Sequence, residues 1–147
     1  TVRGGTQTGG PLFARIDPEI RKLRSVIQST VRTHVAGLPA VDPRHPVLRH
    51  RLDSISFSGS WSVRLTGKGF HTSHLHPMGW FSSAFYVHLP EKEDMGPAPA
   101  GWLALGAPPP GLNLDLAAVR HVEPRPGRLV IFPSIVCHGT VPFDDGE

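Results

Sequence analysis

The sequence predicts a mainly β domain with one amphipathic helix in front of it. Sixteen glycines and sixteen prolines in 147 residues favour short strands joined by turns over a helical bundle. A hydrophobic fraction of 39% and a charged fraction of 18% are typical of a globular chain. The length suits one domain with a real core and is too short for two ordinary ones. We therefore expect a single domain over residues 1–147, with a helical preface at 1–37 and a β core at 38–147.

The preface contains one helix. Residues 1–11 are rich in glycine and threonine and predict a loose arm. Asp17, Pro18 and Glu19 then form a helix start, since aspartate can cap, proline suits the first turn and glutamate complements the helix dipole. Apolar residues recur at helical spacing over 18–35, at Ile20, Leu23, Ile27 and Val31. We expect this helix to end near Gly37 and to lie across the outside of a sheet.

The β core follows an extended connector at 38–46, which holds three prolines. Alternating or β-rich apolar runs predict the strands, and Lys68 with Gly69 predicts a turn. The expected strands are 53–57, 60–66, 81–89, 101–105, 119–122, 128–132 and 136–141. The segment 90–110 carries six prolines around the short strand 101–105 and predicts a rim or lid.

The strand at 81–89 has two distinct faces. Side chains alternate along a strand, so odd-numbered positions share one side and even-numbered positions the other. Phe81, Phe85, Val87 and Leu89 make the odd side, with Ser83, the expected core face. The even side holds small and polar residues that could line a cavity.

Charge and cysteine usage restrict the partners and the compartment. Residues 1–52 hold nine Lys/Arg against three Asp/Glu, but no aromatics are interleaved with these arginines and no binding motif is present, so we expect no nucleic-acid partner. No apolar run approaches the ~20 residues that span a bilayer, so we expect no membrane partner. Cys137 is the one cysteine, which excludes an intrachain disulfide and favours a reducing, cytoplasmic setting.

Three histidines form the candidate site. His74 and His76 stand two apart, so in an extended segment both imidazoles face the same side, with Cα atoms roughly 6.5 Å apart. His138 follows a β-rich apolar run and is the expected third ligand. Three neutral imidazoles suit Fe(II), Zn, Cu or Ni and leave open coordination positions. Pairs of histidines at this spacing also occur on ordinary surfaces, and the other histidines, including His71, are expected to be structural.

Three stretches carry a resemblance to a known family. They are SWSVRL (60–65), GFHTSHLHPMGWFSSAFYVHLP (69–90) and GRLVIFPSIVCHGTVPF (127–143). They resemble the Fe(II)/2-oxoglutarate-dependent dioxygenases often found after tetratricopeptide repeats in bacterial proteins, which are distantly similar to prolyl and aspartyl/asparaginyl hydroxylases. The resemblance implies a double-stranded β-helix, that is a jelly-roll or cupin-like fold. It also implies Fe(II), with 2-oxoglutarate as co-substrate, and it places His74, His76 and His138 at the family's metal positions.

Two features depart from the wider superfamily, which binds iron with His-x-Asp/Glu and a distal histidine. His76 stands where the carboxylate would be, so the site resembles either a three-histidine centre or a two-histidine centre with water. The family's co-substrate arginine lies about ten residues beyond the distal histidine, past Glu147. Because the chain starts without methionine and stops in a polar stretch, we expect both ends to be cuts and the final strand of the core to be missing.

Three residues are candidates for binding the co-substrate carboxylates. Ser83 and Tyr86 lie next to the metal strand, on opposite faces of a regular strand, so at most one of them is expected to take this role. Arg64 is a third candidate, with an outward salt bridge as its alternative.

The leading hypothesis is an Fe(II)- and 2-oxoglutarate-dependent oxygenase that hydroxylates a C–H bond of a protein, peptide or amino-acid-like substrate. One alternative is a cupin-type three-histidine metalloenzyme that uses no keto acid. Another is a non-enzymatic jelly-roll binding module in which the histidines are structural. The sequence leaves the oligomeric state open.

Overall fold

The computed structural model describes residues 2–52 and 54–143. The chain forms two compact units, a strand unit made of Thr1–Gln7 with Val63–Glu147 and a helical unit, Thr8–Ser62. The expectation of one domain over residues 1–147 stays a prediction. The helical unit contains α1 (Pro18–Ala36); the strand unit contains β1 (Val2–Gln7), β2 (Val63–His71), β3 (Phe81–Phe85), α2 (Lys92–Met95), β4 (Leu103–Leu105), β5 (Arg120–Val122), β6 (Leu129–Pro133) and β7 (His138–Thr140).

Helix α1 confirms the helix predicted at 18–35. Ile27 and Val35 are buried on its apolar side, as the spacing of the apolar residues requires. The N-terminus differs from the expected cap, because Asp17 stands at the N-cap position without capping an N–H. Its carboxylate instead accepts a hydrogen bond from Arg15 Nε at 2.8 Å. Arg15 thus competes with the N–H groups at the N-terminus of α1 for the Asp17 carboxylate.

Strand β1 corrects the prediction of a loose arm at residues 1–11. Val2–Gln7 pairs antiparallel with β2, from Val2 opposite His71 to Gln7 opposite Val63, with a shift in register between Arg3 and Gly5. Gly4 at the shift has φ +60°, and a β-carbon there would stand 2.9 Å from the Gly69 Cα. Glycine therefore allows both the turned backbone and the close approach.

Two further sheets complete the strand unit. In one, β3 pairs antiparallel with β6, with Ser82 opposite Phe132 and Ala84 opposite Val130. In the other, β4 lies between β5 and β7, and both pairings are antiparallel. The described chain is therefore a mixed fold of one long helix and several antiparallel strands.

Several predicted boundaries are wrong. Residues 54–57 form no strand, while Asp53 lies outside the described residues. The turn predicted at Lys68 and Gly69 lies inside β2, which runs on to His71. The strand predicted at 81–89 ends at Phe85, and Val87, expected in the core, is 74% exposed. The face of β3 that meets buried Phe132 carries Ser82, so the small, polar side is the one turned toward the interior.

No helix among residues 2–52 and 54–143 is both long enough and apolar enough to cross a membrane.

Candidate metal centre

The centre is built where the segment after β2 meets the start of β7. His74 and His138 face each other as an isolated antiparallel bridge. The His74 N–H donates to the His138 oxygen at 3.0 Å, and the His138 N–H donates to the His74 oxygen at 2.8 Å. Directly opposed residues of an antiparallel pair project their side chains to the same face. The two imidazoles, 64 residues apart in sequence, are therefore delivered side by side.

Glycine at position 139 makes this close pairing possible. A β-carbon there would lie 2.7 Å from the His71 oxygen and 3.0 Å from the Ser73 nitrogen. Both neighbours are backbone atoms and cannot move aside by a change of rotamer. The HGT sequence at 138–140 thus supplies a ligand and the space that its strand needs.

His76 completes a cluster of three imidazoles. The ring centroids are 4.4 Å apart for His74 and His138, 4.9 Å for His74 and His76, and 5.1 Å for His76 and His138. One ring nitrogen from each lies within 4.8 Å of the other two. The three residues could therefore hold one metal ion after a small inward adjustment of the rings, since metal–nitrogen bonds are about 2.0–2.1 Å long for zinc.

Two of the rings are oriented by hydrogen bonds to nearby backbone oxygens. His74 Nδ1 lies 2.8 Å from the Thr72 carbonyl oxygen, and His138 Nδ1 lies 3.1 Å from the Val136 oxygen. A carbonyl only accepts hydrogen bonds, so in each neutral ring Nδ1 carries the proton. The lone pair then resides on Nε2, which is the arrangement that metal-ligating histidines commonly adopt.

Burial favours the neutral form of His138 and His76. The pKa of His138 is lowered to about 4, chiefly by desolvation; the Val136 hydrogen bond opposes this shift, and the nearby histidines add to it. Desolvation, then His74, lowers the pKa of His76. Neutral imidazole is the form that binds metal, so the lowered pKa values of His76 and His138 favour metal binding.

A fourth imidazole lies beside the cluster. The His71 ring centroid is 6.0 Å from that of His74, and its buried Nε2 has no hydrogen-bond partner among the described residues. Desolvation, and to a smaller extent His74, lower the pKa of His71 to about 4. His71 was expected to be structural, and that expectation stays a prediction.

Ser134 supports the loop that carries His76, and sequence reasoning missed it. The Ser134 oxygen accepts from the His76 N–H at 3.2 Å, and its N–H donates to Trp80. The Ser134 side chain is fully buried, with its hydroxyl 2.8 Å from that of Ser82. The serine of the FPS stretch before His138 was a signal that could have indicated this role.

Phe132 forms an apolar wall of the centre. It is 5% exposed, and its ring centroid is 4.7 Å from that of His138. An aromatic neighbour at this distance removes water from one side of the imidazole and contributes to the lowered pKa.

The three co-substrate candidates lie in different surroundings. Ser83 is exposed on β3, and Arg64 is exposed on β2 opposite Thr6. Tyr86 is half-buried just after β3, where its N–H donates to the Arg128 oxygen at 3.1 Å. Burial raises the pKa of Tyr86 to about 12, so its hydroxyl stays protonated and can donate a hydrogen bond. Their roles toward a co-substrate stay predictions.

The donor set fits an iron ion. Three imidazoles, two of which use Nδ1 in a backbone hydrogen bond and so leave Nε2 for a metal, are nitrogen donors of the kind that Fe(II) accepts. Three protein ligands also leave coordination positions open for small molecules.

A mononuclear nitrogen-donor centre between antiparallel strands defines the chain as a candidate metal-dependent enzyme. The family described as "Putative 2OG-Fe(II) oxygenase" matches residues 59–147, which is more than half of the chain and includes all three histidines. The chain belongs to this family of enzymes. Membership implies Fe(II) as cofactor and 2-oxoglutarate as co-substrate, and the histidine cluster is the candidate iron site. Searches of curated proteins and of solved structures found no match.

Proposed function

We propose that this chain is an Fe(II)- and 2-oxoglutarate-dependent oxygenase that hydroxylates a C–H bond of a protein, peptide or amino-acid-like substrate. His74, His76 and His138 hold the iron. The observation that carries the proposal is the convergence of these three imidazoles from two separate stretches of the family-matched region.

We also propose that the strand unit adopts the double-stranded β-helix of the family. Two observations support it. The strands form separate antiparallel sheets, β3 with β6 and β5 with β4 and β7. Residues of β4, β5 and β6 line one common cleft, so the two sheets lie next to each other.

The protein's contribution is to bind and orient. Iron and 2-oxoglutarate, when bound, supply the oxidising chemistry, in which dioxygen converts the keto acid to succinate and CO₂ while the substrate C–H becomes C–OH. Backbone hydrogen bonds fix the His74 and His138 rings, and Phe132 keeps water from one side of the site. Among the co-substrate candidates, the observations favour Tyr86 over Ser83, because Tyr86 is half-buried with a protonated hydroxyl whereas Ser83 is exposed. Arg64 remains a proposed contact.

The test is the Fe(II)-dependent conversion of 2-oxoglutarate to succinate by the full chain, with and without dioxygen. Many oxygenases turn over slowly without their primary substrate, so succinate is measured over long incubations. We expect oxygen-dependent succinate in the wild type and none in His138→Ala. The matched control is His121→Ala, an exposed histidine outside the cluster. Equal succinate formation by wild type and His138→Ala would contradict the proposal.

A second candidate is a three-histidine metalloenzyme that uses no keto acid. The presence of His76 where a carboxylate ligand would be expected favours it. It predicts that the metal-loaded chain binds metal at the same histidines but shows no measurable affinity for 2-oxoglutarate.

A further inference from the structure

A cleft of about 400 Å³ opens between β4, β5 and β6, and two arginines line it. Arg120 and Arg128 contribute its cationic groups. The rest of the lining is apolar: Leu105, Val122, Leu129, Val130 and Ile131. Neither arginine was singled out by the sequence.

The sheet register places Arg120 in line with the candidate metal ligands. His74 is bridged to His138, His138 stands opposite Leu105 on β4, and Leu105 stands opposite Arg120 on β5. Residues directly opposed across antiparallel strands share a face. Arg120 therefore lies on the same face as His138, two strand spacings or ~10 Å away.

Arg128 lies directly before β6, and the alternation of side chains places it on the same side as Phe132. It precedes Val130 and Phe132 at intervals of two, and Phe132 contacts the His138 ring. Its backbone oxygen accepts from Tyr86, and its charge lowers the pKa of the Tyr86 hydroxyl against the larger, raising effect of burial. Arg128 and Tyr86 are thus neighbours on one face.

The positive charges of Arg120 and Arg128 are largely unneutralised, because the nearby carboxylate of Glu123 pairs mainly with Arg125. Arg128 Nη1 donates to the backbone oxygen of Glu123 at 2.5 Å. The Glu123 carboxylate is held by Arg125, with Nη2 at 2.6 Å and Nε at 2.9 Å, although Arg128 and Lys92 also lower its pKa by their charge. Arg120 makes no ion pair with any described carboxylate.

We propose that Arg120 and Arg128 form a carboxylate-binding site in this cleft. Two guanidinium groups beside apolar walls suit an organic acid, because arginine matches the carboxylate fork and the walls cover a short carbon chain. The inference rests on the proposed function, since the ligand is one that also reaches the histidine cluster. The carboxylate belongs either to the co-substrate or to an acidic primary substrate.

The first experiment tests the site without metal. Glutarate, a dicarboxylate with no keto group, is titrated into the full chain in the presence of a chelator and followed by nuclear magnetic resonance. We expect saturable shifts at Val122 and Leu129, and binding weakened on the order of tenfold or more in Arg120→Gln. Arg120→Lys should retain part of the affinity. The matched control Arg21→Gln removes an exposed arginine of α1 that does not line the cleft, and it should leave binding unchanged.

Two results would overturn the proposal. One is the absence of saturable glutarate binding to the wild type. The other is equal affinity in wild type and Arg120→Gln when both show the same urea unfolding midpoint.

The second experiment identifies the source of the carboxylate. Mn(II)-loaded wild type and Arg120→Gln are compared for binding of 2-oxoglutarate and of 2-oxopentanoate, which lacks the distal carboxylate. A preference for 2-oxoglutarate that disappears in Arg120→Gln assigns the site to the co-substrate. A preference that survives assigns it to an acidic substrate. If the metal-loaded wild type binds neither keto acid, the proposed function fails, while the glutarate titration still decides the cleft.

Discussion

His74 and His138 exchange both of their backbone hydrogen bonds, with N···O distances of 3.0 and 2.8 Å. This reciprocal pair joins the segment after β2 to β7 at the point where two candidate ligands project. The metal site and the local strand pairing are therefore one structural unit, and a change in either should be measurable in the other.

Removal of any one imidazole of the cluster should abolish tight metal binding. Loss of an outer partner of a ligand typically costs 10–100-fold in metal affinity, so we expect His74→Ala, His76→Ala and His138→Ala to lose at least about 100-fold. Isothermal titration with Mn(II) or Fe(II) under anaerobic conditions measures it. His88→Ala, an exposed histidine on the chain after β3, should bind as the wild type does. Unchanged affinity in His76→Ala would indicate a two-histidine centre with water.

A carboxylate at position 76 should lower the reduction potential of the bound iron. Aspartate adds one negative charge to the coordination sphere, which favours the ferric state over the ferrous one. We expect His76→Asp to have a lower Fe(III)/Fe(II) potential than His76→Asn, which has nearly the same shape without the charge. Spectroelectrochemical titration of the iron-loaded variants gives both values, and equal potentials would show that position 76 does not contact the metal.

A side chain at position 139 should destabilise the fold and weaken metal binding together. The β-carbon of Gly139→Ala would meet backbone atoms of His71 and Ser73, so the strands must separate. Overpacking of this kind costs about 1–3 kcal/mol of unfolding free energy. Urea unfolding and metal titration are the measurements. Gly111→Ala is the control, because no atom lies within 4 Å of the added carbon. If Gly139→Ala bound metal as tightly as the wild type, the strand pairing would not determine the geometry of the metal site.

Metal-free protein should lose stability as the pH falls from about 6.5 toward 4. The His138 pKa drops from its ordinary value of 6.5 to about 4 in the folded chain. In this interval the unfolded chain takes up a proton that the folded chain does not, so acid favours unfolding; above the interval the stabilisation is complete. His71 acts in the same direction.

The measurement is the urea midpoint between pH 7 and pH 4.5 with a chelator present. His138→Gln should show a shallower decline than the wild type, and His121→Gln should show the wild-type slope. Parallel declines in all three would mean that His138 is not buried in its neutral form.

The hydroxyls of Ser82 and Ser134 should contribute a measurable coupling. Their oxygens are 2.8 Å apart, and Ser134 is completely buried. A double-mutant cycle of Ser82→Ala and Ser134→Ala should give a coupling of about 0.5–1.5 kcal/mol in unfolding free energy. A coupling near zero would show that the two hydroxyls bond to other partners in solution.

The sequence predicts the site better than it predicts the strand boundaries. The local pair, His74 with His76, follows from the two-residue period of an extended chain, and the distant His138 was indicated by the β-rich apolar run before it and by the family resemblance. Helix α1 was predictable because its apolar spacing is dense, and Ile27 and Val35 are buried as that spacing requires.

The misses arise where pairing across the chain decides the structure. Strand β1 has glycine and threonine instead of an apolar alternation, and its pairing with β2 is what makes it a strand. Val87 was expected in the core because it follows Phe85 at an interval of two, but the pairing of β3 with β6 ends at Phe85. Ser134 takes its role from long-range contacts with His76 and Trp80, which the alternation of apolar and polar residues does not reveal.

The His74 and His138 rings are each held by a hydrogen bond to the backbone oxygen two positions upstream, that of Thr72 and of Val136. These hydrogen bonds exist without a bound metal ion, so metal binding requires little further loss of side-chain rotamer freedom. A nitrogen-only trio prepared in this way discriminates weakly among borderline divalent ions. Which metal occupies the site is then decided chiefly by metal supply, and protein purified under iron-poor conditions should carry zinc or nickel in place of iron.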